Sequence, residues 1–194
     1  MADLFGEPTV PGLAYGEEIV TAEEEADLIA AIDGSGLAPF RFQGFLGKRE
    51  TRTFGWSYDF DKGGFAPAQP LPDWLSPLRR RAARFAGLDP DDFVHALLIR
   101  YGPGAGIGWH RDRPQFGEVI GISFGYPATL RFRRRRPDGF DRRSVLLRPR
   151  SIYHLRDEAR WTWEHGIAPM PATRWSITFR TLSEKGQAAR DGSR

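Results

Sequence analysis

Hydrophobic and polar positions change period several times along the chain. Thr21, followed three residues later by Glu24, forms a capping box that starts a helix. Ala22, Ala26, Ile29 and Ile32 then lie on one apolar stripe at helical spacing, and Gly34 supplies a stop. The same spacing predicts a second helix over 72–85, where Trp74, Leu75, Leu78, Ala82 and Phe85 share a face and Gly87 ends it. Most of the rest reads as strands. Residues 40–60 are aromatic and interrupted by glycines. Segments 93–101, 119–124, 129–135, 145–147, 151–155 and 174–182 follow, with turn signals at Pro103-Gly104, Gly125-Tyr126-Pro127 and Pro137-Asp138-Gly139. Two early helices followed by many short strands predict a mostly β fold with flanking helices, a sandwich or a double-sheet jelly roll. The polar residues from Ser183 onward read as a disordered tail.

The strictest alternation is in residues 174–180. Trp175, Ile177 and Phe179 make one face; Arg174, Ser176, Thr178 and Arg180 make the other. Two readings fit the polar face. It is a solvated strand surface, or its two arginines and serine converge on a dicarboxylate, since paired guanidinium groups bind carboxylates in bidentate fashion.

Composition narrows the field. The 194 residues, 40% hydrophobic and 27% charged, suit one soluble domain spanning 1–194 with a sizeable core. No apolar run approaches the roughly 20 residues of a membrane span, and the N-terminus lacks a signal-peptide layout, so a cytoplasmic location is expected. The absence of cysteine removes disulfides and thiolate metal ligands. A net charge of +3 is too mild to imply a nucleic-acid partner by itself. Lysine occurs only at 48, 62 and 185, so the basic residues are nearly all arginine, as a GC-rich coding bias would also produce.

A metal site is the first chemical signal. Residues two apart on a strand point the same way, so His110 and Asp112 can aim an imidazole and a carboxylate at one point. Two histidines and a carboxylate on one face of iron(II) leave three positions open. The remaining histidines are His95, His154 and His165. His95 and His154 sit inside strand-like runs and read as hydrogen-bonded core or edge residues. His165 precedes a glycine at a strand end and is freer to face a cavity, though spacing favours it over His154 by only a small margin.

Taken in order, His110-x-Asp112, His165-Gly-Ile and Arg174-x-Ser-x-Thr-Phe-Arg180 resemble the AlkB family of iron(II)- and 2-oxoglutarate-dependent dioxygenases. Leu98-Ile-Arg-Tyr101-Gly-Pro-Gly, Gly121-Ile-Ser-Phe, Leu130-Arg-Phe, Arg150-Ser-Ile-Tyr-His-Leu and Ala159-Arg160-x-x-Trp-Glu-His165-Gly extend the likeness over roughly residues 40–182. The resemblance implies a double-stranded β-helix core over 90–184 and a substrate lid over 38–70. It also implies Fe(II), 2-oxoglutarate and O2 as cofactor and cosubstrates, with His110, Asp112 and His165 as metal ligands. Arg174 would pair with the distal carboxylate of 2-oxoglutarate, helped by Ser176. Arg180 would lie near the chelating carboxylate, and Tyr101 would bond to the cosubstrate. Two positions depart from the family: Ile99 stands where asparagine is frequent, and Pro114 replaces an acid of the founding bacterial enzyme.

The family's chemistry is oxidative decarboxylation of 2-oxoglutarate coupled to hydroxylation, which removes N-methyl groups as formaldehyde. The lid segment interleaves Lys48, Arg49 and Arg52 with Phe54, Trp56 and Tyr58. Cations for phosphate and aromatic faces for an extruded base suit nucleic acid, with Arg49, Arg52, Trp56 and Tyr58 as candidate contacts. A second basic cluster runs over residues 131–136 and continues at Arg142 and Arg143. The expected activity is therefore dealkylation of N-alkylated bases in DNA or RNA, in repair, by a monomer. A hydroxylase or demethylase acting on protein is the alternative.

Overall fold

The computed structural model describes residues 10–42, 45–58 and 64–192, the side chains at 41, 42, 45, 46 and 58 excepted. In chain order the elements are β1 (Leu13–Gly16), α1 (Ala22–Asp33), β2 (Ala38–Phe42), β3 (Phe45–Tyr58), β4 (Phe65–Pro67), α2 (Ser76–Ala86), β5 (His95–Tyr101), β6 (Ile107–His110), β7 (Phe116–Gly125), β8 (Ala128–Arg136), β9 (Gly139–Leu147), β10 (Ser151–Leu155), α3 (Asp157–Trp161), β11 (Glu164–Ile167), β12 (Arg174–Leu182) and α4 (Glu184–Asp191). They form two antiparallel sheets. The larger runs β1-β10-β7-β12-β5-β3-β2, with β4 added to β3; the smaller runs β6-β11-β8-β9. This is the mostly β, helix-flanked double sheet that the sequence predicts. No helix among the described residues is long and apolar enough to cross a membrane.

Strand alternation divides the interior into two cores. Leu98, Ile120, Ile122, Ile177 and Phe179 pack beneath the helices with Ile32, Leu75, Leu78 and Ala82. Their sequence neighbours face the other way: Ile99 and Tyr101 lie between the sheets with Leu130, Phe132, Tyr153 and Trp163. The polar face of β12 also points between the sheets and is buried, with Arg174 only 1% exposed and Arg180 8%. Of the two readings of that strand, the solvated surface is excluded.

Both early helices form as the sequence predicts. Thr21 and Glu24 make the capping box of α1, and Gly87 ends α2 in the left-handed conformation, after a single 3-10 turn over Asp73–Leu75. The C-terminal expectation needs correction. Residues Glu184–Asp191 form a helix, because the Ser183 side chain caps its N-terminus at Gly186 and its own Oγ–H donates to Pro114 O at 2.5 Å. Three short elements, β1, β4 and α3, have no pattern in the sequence to announce them. The glycine-broken 40–60 segment is chiefly one long strand, β3, bent at Gly55 (φ 76°). There the amide of Gly55 donates to Gln69 O (2.7 Å) and that of Trp56 to Val94 O (2.9 Å). A Cβ at Gly55 would collide with the Val94 carbonyl oxygen.

Gly55→Ala therefore combines a disfavoured φ with a backbone clash and should cost about 2–4 kcal/mol in urea unfolding. Gly64→Ala, whose Cβ would meet open space, should stay within about 0.5 kcal/mol of the parent.

Candidate metal and 2-oxoglutarate site

The smaller sheet brings two of the candidate ligands together. His165 on β11 pairs in register with His110 on β6, and their rings lie 4.4 Å apart. Asp112 follows two residues after His110, where β6 gives way to an irregular turn. Its Oδ2 lies 3.6 Å from His165 Nε2. One ligand atom from each of His110, Asp112 and His165 can be chosen so that all lie within 4.8 Å of one another, a donor set and spacing that could hold a single divalent ion. His110 Nδ1 lies 2.9 Å from Gly108 O, which leaves Nε2 free to serve as the ligand atom.

Arg180 on β12 orients the carboxylate. Its Nη2–H and Nε–H donate to Asp112 Oδ1 at 2.7 and 3.0 Å, leaving Oδ2 on the histidine side. Burial alone would raise the Asp112 pKa, but Arg180, the two histidines and Arg160 outweigh it and hold the carboxyl well below its ordinary range. Burial pushes His165 down to about 3, with His110 adding to the effect, so its imidazole is neutral and able to bind a metal at neutral pH. His95 is also buried and held neutral, chiefly by desolvation. Its Nδ1 accepts from Arg180 Nη1 at 3.2 Å, which makes it the hydrogen-bonded core histidine that the sequence suggests. His154 lies 2.5 Å from Glu118 Oε2 and is not part of the cluster.

A second polar row crosses the larger sheet. Arg49, Tyr101, Arg174 and Gly125 stand opposite one another across β3, β5, β12 and β7. Arg174 donates from Nε to Ser123 Oγ at 2.9 Å, and its buried Nη1 has no partner among the described residues. A fully buried guanidinium with an unsatisfied N–H is costly unless a ligand accepts from it, and a carboxylate is the complementary group. Tyr101 lies alongside, its ring centre 5.1 Å from the Arg174 guanidinium carbon. Ser176 is in register with Ser123 and Ile99, so the family's asparagine position is apolar here. These residues fit a dicarboxylate.

Tyr153 also enters this space, and the sequence reading misses it. Burial raises its phenol to about 12, against the lowering effect of Arg174, so it remains a hydrogen-bond donor. Gly121, opposite it on β7, leaves room for the ring: a Cβ there would overlap it. Arg160 is likewise missed as a site residue, although its position is quoted in the motif. A single strand's pattern cannot reveal either, because each acts through a partner on another element.

The four substrate candidates separate. Arg49 faces the site, with its guanidinium 3.9 Å from the Phe40 ring centre. Trp56 stacks on Phe65 (5.2 Å), whose edge meets Phe116 (5.6 Å). Arg52 alternates to the helical side of the sheet, in register with Leu98, and donates to Gln69 Oε1 at 2.6 Å. The Tyr58 side chain lies outside the described atoms. Further along the chain, Trp163 is core and Trp161 is 46% exposed.

Comparison with known proteins identifies the family. The family model for the 2OG-Fe(II) oxygenase superfamily matches residues 15–183. The alpha-ketoglutarate-dependent dioxygenase AlkB of Salmonella typhimurium is 30% identical over 154 residues, covering 68% of each chain. The tRNA (carboxymethyluridine(34)-5-O)-methyltransferase alkbh8 of Xenopus tropicalis is 29% identical over 82% of this chain, which spans only 25% of that protein's length. The solved structure of OsALKBH1 superposes with a TM-score of 0.69 at 14% identity, over 88% of this chain and 96% of its own, a likeness of fold. The chain therefore belongs to the AlkB family of Fe(II)- and 2-oxoglutarate-dependent dioxygenases.

Proposed function

We propose that this protein removes alkyl groups oxidatively from N-alkylated bases in nucleic acid, in a repair role. The observation that carries the substrate class is the arginine-and-aromatic character of the strands bordering the site. Arg49 shares a row with Tyr101 and Arg174. The outer face of β8 and β9 sets Arg131 and Arg133 against Trp109 (5.0 and 4.7 Å), and Arg133, Arg135 and Arg142 around Phe140. Cations suit phosphates and aromatic rings suit bases, and here both rings are half-buried beside their arginines. Relatives named as a dioxygenase AlkB and as tRNA methyltransferases lend support and leave DNA and RNA both in play.

In this reading His110 Nε2, Asp112 Oδ2 and His165 Nε2 hold Fe(II), while Arg180 keeps Oδ1 occupied so that Asp112 offers one oxygen. Arg174 Nη1, flanked by Tyr101 and Ser176, takes the distal carboxylate of 2-oxoglutarate. The bound ion, with 2-oxoglutarate and O2, supplies oxidative decarboxylation coupled to hydroxylation of a C–H bond. The protein's own contribution is orientation and exclusion of water: the row from Arg49 to Arg174 shares Tyr101 with the core between the sheets, where Phe132 and Tyr153 are also buried. Residues 38–70 act as the lid, with Arg49 and Trp56 as its substrate contacts, over a core at 90–184. An N-methyl group hydroxylated there leaves as formaldehyde.

The test is anaerobic loading with Fe(II) and 2-oxoglutarate, then aerobic turnover on methylated DNA and RNA oligonucleotides, with a methylated peptide alongside. Formaldehyde should match the methylated base consumed; succinate formed with every oligonucleotide intact, or with only the peptide altered, overturns the reading. Arg174→Met should raise the KM for 2-oxoglutarate about 10- to 100-fold, the worth of a charge-assisted hydrogen bond, with Fe(II) affinity little changed.

A further inference from the structure

Arg180 steers the Asp112 carboxylate, but the chain that delivers Asp112 is irregular between β6 and β7. A second arginine closes that segment from behind. Arg160, on α3 and only 2% exposed, sets its guanidinium inside the turn. Its Nε–H donates to Gly117 O (2.6 Å), and Nη2–H donates to Phe116 O (2.6 Å) and Arg113 O (2.8 Å). Nη1–H reaches Asp112 O at 3.4 Å. The ring centre of Trp161 lies 4.1 Å from the guanidinium carbon.

No acid pairs with Arg160 in a salt bridge among the described residues; its partners are main-chain carbonyls. A buried cation without an ion-pair partner is an expensive way to close a turn, since the desolvation of its charge must be offset by hydrogen bonds alone. What a planar, five-donor group provides instead is fixed geometry, because it ties four carbonyls to one rigid plane. Those carbonyls belong to Asp112 itself, to Arg113 in the turn after it, and to Phe116 and Gly117 at the start of β7. Resting on the reading that His110, Asp112 and His165 bind the metal, we infer that Arg160 is a positioning residue for Asp112. It fixes the main chain from which the carboxylate projects, as Arg180 fixes the carboxylate.

Cobalt(II) titration of the whole 194-residue chain tests this, with folding followed by circular dichroism at low temperature. The parent should bind one equivalent and His165→Ala should not; a parent that binds none defeats the metal assignment itself, whatever Arg160 does. Arg160→Met should stay folded and bind Co(II) about 10- to 100-fold more weakly, the usual effect of losing a group that orients a ligand. Arg160→Lys, which can keep some of the carbonyl contacts, should fall between. Arg156→Met, at the exposed start of the same helix, should match the parent. In metal-free protein, hydrogen exchange at the amides of 115–117 should accelerate in Arg160→Met beyond any global loss of stability; if that variant does not fold, Arg160→Lys gives the same readout. Parental Co(II) affinity in the folded Met and Lys variants overturns the proposal, and so does weakened binding with unchanged local exchange.

Discussion

The site depends on keeping one carboxylate charged where water is excluded. Asp112 is buried between two sheets, and desolvation favours its protonated form. The charge of Arg180, which donates twice to Oδ1, is the largest of the influences that together reverse that preference, ahead of the two histidines and Arg160. One contact thus fixes both the charge and the geometry: the acid is ionised, and its other oxygen is left toward the two imidazoles. Arg180 is positioned in turn by β12 in the ladder and by His95, whose burial keeps it neutral and able to accept.

The fold supplies these conditions through the two-residue period of its strands. On β12 the same alternation sends Ile177 and Phe179 into the core beneath the helices and Arg174, Ser176 and Arg180 into the space between sheets. One strand therefore carries both the carboxylate-steering arginine and the arginine with an unmet donor. The smaller sheet adds His110 and His165 by cross-strand register. Neither sheet contains the whole site, so the packing of the two sheets brings the chemistry together.

Legibility in the sequence follows the range of the interaction. Capping of α1 at Thr21, the end of α2 at Gly87 and the two faces of β12 depend on neighbours a few residues apart, and each is readable. The meeting of His165 with the His110–Asp112 pair spans the distance between β6 and β11; it emerges only from the order of motifs shared with the AlkB family. Tyr153 and Arg160 escape notice because their roles are set by Gly121 on another strand and by carbonyls some 45 residues away. The tail from Ser183 is misjudged for a similar reason: its polar composition hides a helix held by Pro114 and Gln115 of the Asp112 turn. Arg52 and Arg49 look equivalent in sequence, yet alternation places them on opposite faces of the larger sheet.

The most direct measurement is anomalous diffraction at the manganese edge from crystals grown anaerobically with Mn(II) and 2-oxoglutarate. The account predicts one strong peak bonded to His110 Nε2, Asp112 Oδ2 and His165 Nε2, with the distal carboxylate of the keto acid on Arg174 Nη1. A peak elsewhere, or a keto acid bound away from Arg174, would contradict it.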